Sequence, residues 1–189
     1  MMVAVHAWRS AQAIERFKAA YPDRPLVLQL SGTDIYDTIK SDPVPTLRSM
    51  ELADRLVALN ELAWKVVPRR LHKKLLVMHQ SAARFTEARQ PSSRAVIVSV
   101  IGHLRDVKDP LRAAEAARLL PADSRVRIEQ VGRAYTAEWA ERARAEMAAN
   151  PRYHWRDDVP AAGVRHLLAR SHAMAITSLS EGGANVISE

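Results

Sequence analysis

The stretch Ala173-Met174-Ala175-Ile176-Thr177-Ser178-Leu179-Ser180-Glu181-Gly182-Gly183-Ala184-Asn185-Val186-Ile187-Ser188-Glu189 decides how the rest of the chain is read. Its apolar opening, Ala173 to Thr177, predicts a buried strand. Gly182 and Gly183 predict a turn, and the residues after them a helix that contains Glu189. Strand, glycine turn and helix in that order are the repeating unit of an α/β fold. Glu181 then sits in the turn, with Glu189 about 10–12 Å further along the helix at ~1.5 Å per residue. Between them the amides of Gly183, Ala184 and Asn185 would face outward from a positive helix start, a site for an anion. A hydroxyl-binding carboxylate, phosphate-binding amides and a second carboxylate suit a sugar nucleotide lying along the turn. The same spacing also occurs in a solvated helix that simply carries two surface acids.

Outward from this stretch the chain alternates short apolar runs with helical patterns, which predicts α/β with mostly parallel sheets. In the first half, strands are expected at Val3 to Val5, Leu26 to Leu30, Arg55 to Leu59 and Lys74 to Met78. Helices are expected from Ser10 to Ala20, after Pro43 and Pro45, and after Asn60. Residues 81–94 are polar and irregular and read as a linker. The pattern restarts at Ala95 to Ile101, a largely apolar, β-branched run expected to be covered on both faces. A strand Val126 to Val131, a helix Thr136 to Ala149, a strand Tyr153 to Trp155 and a helix Pro160 to Arg170 follow. Two Rossmann-like domains are therefore expected, residues 1–80 and 95–189. Each is shorter than the ~100–150 residues such a domain takes, so both are expected to be incomplete and the chain to be a truncated piece.

Composition narrows the classes. Hydrophobic residues make up 48% of 189 residues, enough for a real core. Cysteine is absent, which excludes disulfides, thiolate zinc sites and cysteine nucleophiles and is compatible with a cytoplasmic location. No apolar run is long enough to span a membrane, and the start lacks the charged leader and apolar core of a signal peptide. The net charge is +7. Its cations are scattered in pairs such as Arg69-Arg70, without the basic block or interleaved aromatics of a nucleic-acid binder. A phosphate-bearing small molecule needs only a few of them.

Several loops carry candidate chemistry. Gly102-His103-Leu104-Arg105-Asp106-Val107-Lys108 leaves an apolar strand and leads to Asp109-Pro110, read as a helix cap with proline at the first helical position. Ser31-Gly32-Thr33-Asp34 leaves another strand at its carboxyl end, where α/β proteins bind ligands. Asp34 there is either a hydroxyl ligand or a turn-former. His6 also ends a strand, as a base or as a structural hydrogen-bonder. Asp157-Asp158 suggests a metal site, but as a helix-capping pair before Pro160 it needs no metal, and none is expected there. The four tryptophans read as packing residues, with Trp155 and Arg156 at a strand end where a nucleobase could rest.

The wording Glu-Gly-Gly-Ala-Asn-Val-Ile-Ser-Glu, with its two glutamates, resembles the donor-site motif of glycosyltransferase family 4, which has the two-Rossmann GT-B fold. It is most similar to the selenosugar synthases of selenoneine biosynthesis. The resemblance implies transfer of a hexosyl or N-acetylhexosaminyl group from a UDP-sugar to selenophosphate, without a cofactor or a metal ion. It implies that Glu181 orients sugar hydroxyls, Glu189 holds the ribose, and Gly182, Gly183, Ala184 and Asn185 line the donor. Lys108 keeps the position of a lysine that the family uses on the nucleotide diphosphate. His103 stands where the family commonly has arginine, and Arg105 is the replacement charge. The acceptor side would comprise His6, Gly32, Thr33 and Asp34, with Ser31 in place of the family's usual histidine. An ordinary oxygen acceptor, or an inactive remnant, are the alternatives.

Overall fold

The computed structural model describes residues 1–84 and 88–188. The chain divides into two compact units, one of Met1–Ala82 with Ser180–Ser188 and the other of Ala83–Leu179.

The first unit is built on four parallel strands, β1 (Met2–Val5), β2 (Leu26–Gln29), β3 (Arg55–Ala58) and β4 (Leu75–Val77), in the spatial order of the sequence. Helix α1 (Ala11–Ala20) joins β1 to β2. Ser10 precedes it, but its hydroxyl donates to the Val5 carbonyl, and no side chain caps the helix. A π-helical turn, Asp34–Thr38, runs into the short α2 (Ile39–Ser41), where the sequence reads only a loop. Helices α3 (Pro43–Leu52) and α4 (Ala63–Val66) and a 3-10 turn Arg69–Lys74 complete the connections. Alternate strand residues Ala4, Leu26, Leu28, Leu56, Ala58 and Leu75 form one buried cluster with Ile14 and Met50 from the helices. On the other sheet face Val3 is 61% and Leu76 49% exposed. Strands added one after another by right-handed crossovers put every connecting helix on one side, so the opposite face receives none from these connections.

The second unit is also a four-stranded parallel sheet: β5 (Val96–Ile101), β6 (Val126–Val131), β7 (Tyr153–Arg156) and β8 (Ala173–Met174), ordered β7-β6-β5-β8. The chain grows outward from β5 through β6 to β7, then returns so that β8 pairs with the free edge of β5. Helices α5 (Arg112–Arg118) and α6 (Ala137–Ala149) cover one face, where Val100, Ile128, Tyr153 and Trp155 pack with Leu111, Ala114, Trp139 and Ala143. Helix α7 (Ala161–Arg170), on the returning connection, packs Leu167 on Ile97 and Val131 of the opposite face. The Thr136 hydroxyl caps α6 by accepting from the Trp139 amide at 3.3 Å. An ion pair of Arg118 with Glu146, whose Oε1 also accepts from Asn150 Nδ2, fastens α5 to α6.

The expected α/β class and two parallel-sheet units are present. Three local expectations fail. Asp109 lies in the left-handed region (φ 43°) and closes a 3-10 turn (Asp106–Lys108), so the next helix starts at Arg112 rather than at Pro110. No side chain caps α7, so Asp157-Asp158 is not the expected capping pair. In place of a helix after Gly183, Asn185–Ile187 makes one 3-10 turn. Among the described residues no helix is long and apolar enough to cross a membrane.

Candidate functional site

In the second unit the reversal between β6 and β8, on either side of β5, creates a topological switch point. The loop of β5 lies there beside the segment after β8, and on its other side it meets the loops of β6 and β7 at the carboxyl end of the sheet, the end at which α/β proteins bind ligands. The β5 loop carries His103, Arg105 and Lys108. It is tied to the segment after β8: the Thr177 hydroxyl reaches the carbonyls of Lys108 (3.0 Å) and Asp109 (2.9 Å), and the Leu179 amide donates to Val107. On the other flank it is held by the β6 loop. A parallel bridge joins Leu104 to Ala134, and the Arg133 amide donates to His103 Nδ1 at 3.2 Å. Gly132 makes this close approach possible, since its φ is +150° and a Cβ there would strike the Gly102 carbonyl.

These loops line a cavity of about 390 Å³ formed by His103, Arg133, Ala134, Tyr135 and Asp158. The Arg105 guanidinium lies over the Tyr135 ring at 5.4 Å, and the His103 ring sits 5.9 Å from the same ring. The Arg105 Nε is buried with no hydrogen-bond partner among the described residues. An aromatic face beside cations at strand carboxyl ends can hold a nucleobase and a phosphate together. Arg133 and Tyr135 were not singled out from the sequence. The signal was available: β5 and β6 both end in glycine followed by a basic side chain, Gly102-His103 and Gly132-Arg133. Trp155 is a buried packing residue whose indole donates to the Gly132 carbonyl, so it is not a shelf for a base. Trp8 and Trp64 depart from the packing expectation at 43% and 40% exposure.

In the first unit the carboxyl ends of β1 and β2 bring His6, Thr33 and Asp34 together. Asp34 is fully buried. Its Oδ2 accepts from the Ala7 amide at 2.9 Å, and its Oδ1 from the Ser31 amide at 2.8 Å. This one carboxylate therefore ties the two post-strand loops, which is the turn-forming role. Burial pushes its carboxyl above the ordinary range, opposed by the amide hydrogen bonds and by His6. His6, in the left-handed region (φ 70°), accepts the Arg9 amide at Nδ1 and donates from Nε2 to the Thr33 hydroxyl at 2.9 Å. Burial holds its pKa below the ordinary histidine value. The loop Ser31–Gly32 packs backbone to backbone on the motif turn, and a Cβ on Gly32 would fall 2.5 Å from the Gly182 nitrogen.

Segment 180–188 thus lies across the carboxyl ends of β2, β3 and β4. Gly182 meets Ser31 and Gly32, and Asn60 donates to the Gly182 carbonyl at 2.7 Å. Gly183 faces Leu59 and Gln80, and the Ser188 hydroxyl reaches the Gln80 carbonyl. Glu181, Ala184 and Asn185 are partly exposed along this segment. Glu189 lies outside the described residues. Among the described residues, no three histidine, aspartate or glutamate side chains are grouped to hold a metal ion.

No family model matches the sequence, and no curated protein is significantly similar to it. Solved structures are similar in fold. TarM superposes with a TM-score of 0.70 at 12% identity over 96% of this chain and 36% of its own. The N-terminal domain of the Candida albicans trehalose-6-phosphate phosphatase does so with a TM-score of 0.66 at 12% identity, over 97% of this chain and 52% of its own. Anabaena HepE, solved with UDP and glucose, gives 0.64 at 17% identity over 94% of this chain and 53% of its own. The chain therefore spans about a third to a half of the length of these proteins. What the likeness shows is the fold: paired Rossmann-like sheets, as in glycosyltransferases of the GT-B type.

Proposed function

We propose that the chain is the sugar-nucleotide-handling part of a glycosyltransferase that moves a hexosyl or N-acetylhexosaminyl group from a UDP-sugar. The observation that carries this is the cavity among the loops after β5, β6 and β7 of the second unit, where cations and an aromatic face meet at strand carboxyl ends. HepE, similar in fold, was solved with UDP and glucose, which supports a UDP-sugar as the ligand class. In this reading His103, Arg105 and Lys108 receive the diphosphate, whose oxygens gain charge as the bond to the sugar breaks. Tyr135 and Arg133 hold the base. Glu181 orients sugar hydroxyls, Gly182 to Asn185 line the donor, and Glu189 holds the ribose. His6, Gly32 and Thr33 face the acceptor, and Asp34 shapes their loops. Donor binding needs no metal ion in this scheme, and the enzyme works in the cytoplasm on small molecules rather than on nucleic acid.

The acceptor proposed is selenophosphate, on the motif resemblance. A carbon–selenium bond forms at the anomeric carbon, the carbon–oxygen bond to the diphosphate breaks, and UDP departs with the electron pair. Ser31, in place of the histidine usual before Gly-Thr-Asp, favours an acceptor that needs no histidine-assisted deprotonation, as an anionic selenium nucleophile does not. The test is UDP release from UDP-glucose and UDP-N-acetylglucosamine with selenophosphate, glycerol or a simple thiol as acceptor. Release with selenophosphate alone is expected, with Lys108→Ala slower by about 100-fold. Release with glycerol alone replaces selenium by an oxygen acceptor. No release with any acceptor makes the chain an inactive remnant.

A further inference from the structure

Asn60 follows β3 in a loop that the proposed reaction leaves unused, yet its amide is engaged at both its oxygen and its nitrogen. Oδ1 accepts from the Leu62 amide at 2.8 Å and from the Tyr36 hydroxyl at 3.4 Å. Nδ2 donates to the Gly182 carbonyl at 2.7 Å, across 122 residues of sequence. The first two bonds fix which way the amide faces, since rotating it by half a turn would set two donors against the Leu62 N–H. Tyr36 belongs to the π-helical turn Asp34–Thr38, a conformation that recurs where proteins aim side chains for function. The Gly182 carbonyl receives its donor where Gly32 and Gly182 have given up side chains so that two backbones can touch. At the Gly32–Gly182 contact itself no side chain sets the register, so a hydrogen bond to the Gly182 carbonyl can do so, beside the packing of Gly183 on Leu59 and Gln80.

We propose that Asn60 is a positioning residue for the Glu181–Gly183 turn, setting the orientation in which Glu181 meets the sugar of the donor. This rests on the donor-site reading of that turn. Asn60 touches neither sugar nor phosphate and acts through the Gly182 carbonyl. Asn60→Asp isolates the contact: an ionised carboxylate still accepts from Leu62 and Tyr36 but cannot donate, and it sets an oxygen against the Gly182 carbonyl. Tyr36→Phe is the control, since it removes a bond to the same side chain and leaves the donor in place.

The experiment uses the full chain with two readouts. One is amide hydrogen exchange of peptide 180–188, which contains the Ile187 and Ser188 amides of the 3-10 turn. The other is the affinity for UDP-glucose, with thermal unfolding to confirm that both variants are folded. Expected are exchange about tenfold faster and UDP-glucose affinity about tenfold lower in Asn60→Asp, with Tyr36→Phe close to wild type in both. Unchanged exchange in Asn60→Asp overturns the proposal, as does faster exchange with undiminished UDP-glucose affinity. Equal effects of the two variants overturn it too, because the loop as a whole and not the donated bond would then be responsible. A wild-type chain that binds no UDP-glucose overturns the donor-site reading instead, while faster exchange in Asn60→Asp would still show the turn anchored by this bond.

Discussion

The two sheets have the same number of parallel strands and differ in one topological decision. In the first, each strand is added beyond the last, so the crossovers place their helices on one face and no reversal opens between neighbours. In the second the chain turns back after β7 and lays β8 against β5. That single reversal puts α7 opposite α5 and α6 and covers both faces, while Arg105, Arg133 and Tyr135 gather on the other side of β5, among the loops that leave β5 and β6. Coverage of both faces follows from the reversal, and the cavity from the bridge that holds the β5 and β6 loops together. The first unit shows the complementary case: its strand carboxyl ends carry no switch point among the described strands and are occupied by segment 180–188.

The largest test of this contrast is by truncation of strand residues. In the second unit, Ile128→Ala on the α5–α6 face and Ile97→Ala on the α7 face should each cost about 2–5 kcal/mol in denaturant unfolding. In the first unit, Leu28→Ala should cost about as much, whereas Val3→Ala, on the opposite face, should cost less than about 0.5 kcal/mol. A large loss at Val3 would show that face to be covered and break the comparison.

Asp34→Ala comes next. It leaves the Ala7 and Ser31 amides without their acceptor, at roughly 1–3 kcal/mol for each that water does not reach. Unfolding followed by amide exchange should place the loss in the first unit alone. An unaltered first unit would return Asp34 to the ligand-binding role.

A smaller pair sharpens the second unit. Gly132→Ala must relieve both a positive φ and a clash with the Gly102 carbonyl, and should cost about 1–3 kcal/mol. It should also shift the His103 and Arg133 resonances. Gly102→Ala meets nothing within 4 Å and should stay within about 0.5 kcal/mol of wild type. Equal effects would mean that the β5 and β6 loops are not held against each other.

The smallest effect is a pH dependence. Burial depresses the His6 pKa in the fold, so the unfolded chain takes up the proton first as pH falls. The stability from neutral His6 is therefore present above the ordinary histidine pKa and is lost as pH drops below it. Asp34, pushed up by burial, works in the opposite sense: its protonated form favours the fold at acid pH, and that contribution is lost as pH rises through its folded pKa. His6→Asn, which tolerates the left-handed backbone, should flatten the histidine limb in unfolding measurements on the first unit. An identical slope in wild type and variant would contradict this.

The fold class was legible because β5 is apolar on both sides and alternates with helical periodicity. The carboxyl-end loops of His6, Thr33, Asp34, His103, Arg105 and Lys108 were legible because strand ends in α/β proteins mark themselves with glycine and polar residues. What escaped was set by contacts distant in sequence. The strand expected from Ala173 to Thr177 stops at Met174, and Thr177 bonds the Lys108 and Asp109 carbonyls instead. The helix expected after Gly183 yields to a 3-10 turn where Gly182 and Gly183 are committed to Gly32, Leu59 and Gln80. Asp109-Pro110 has the wording of a helix cap, but Asp109 closes the preceding turn and bonds Arg112. Tyr135 could not be placed in the site without knowing that Leu104 bridges Ala134.

The most direct measurement is titration of the isotope-labelled full chain with UDP, followed by amide resonances. Binding at the cavity of the β5 and β6 loops predicts shifts at Gly102 to Lys108 and Gly132 to Tyr135 that saturate below about 1 mM, while Val3 and Val5 on the uncovered face of β1 stay still. No shift up to that concentration, or shifts that avoid both of those loops, would contradict it.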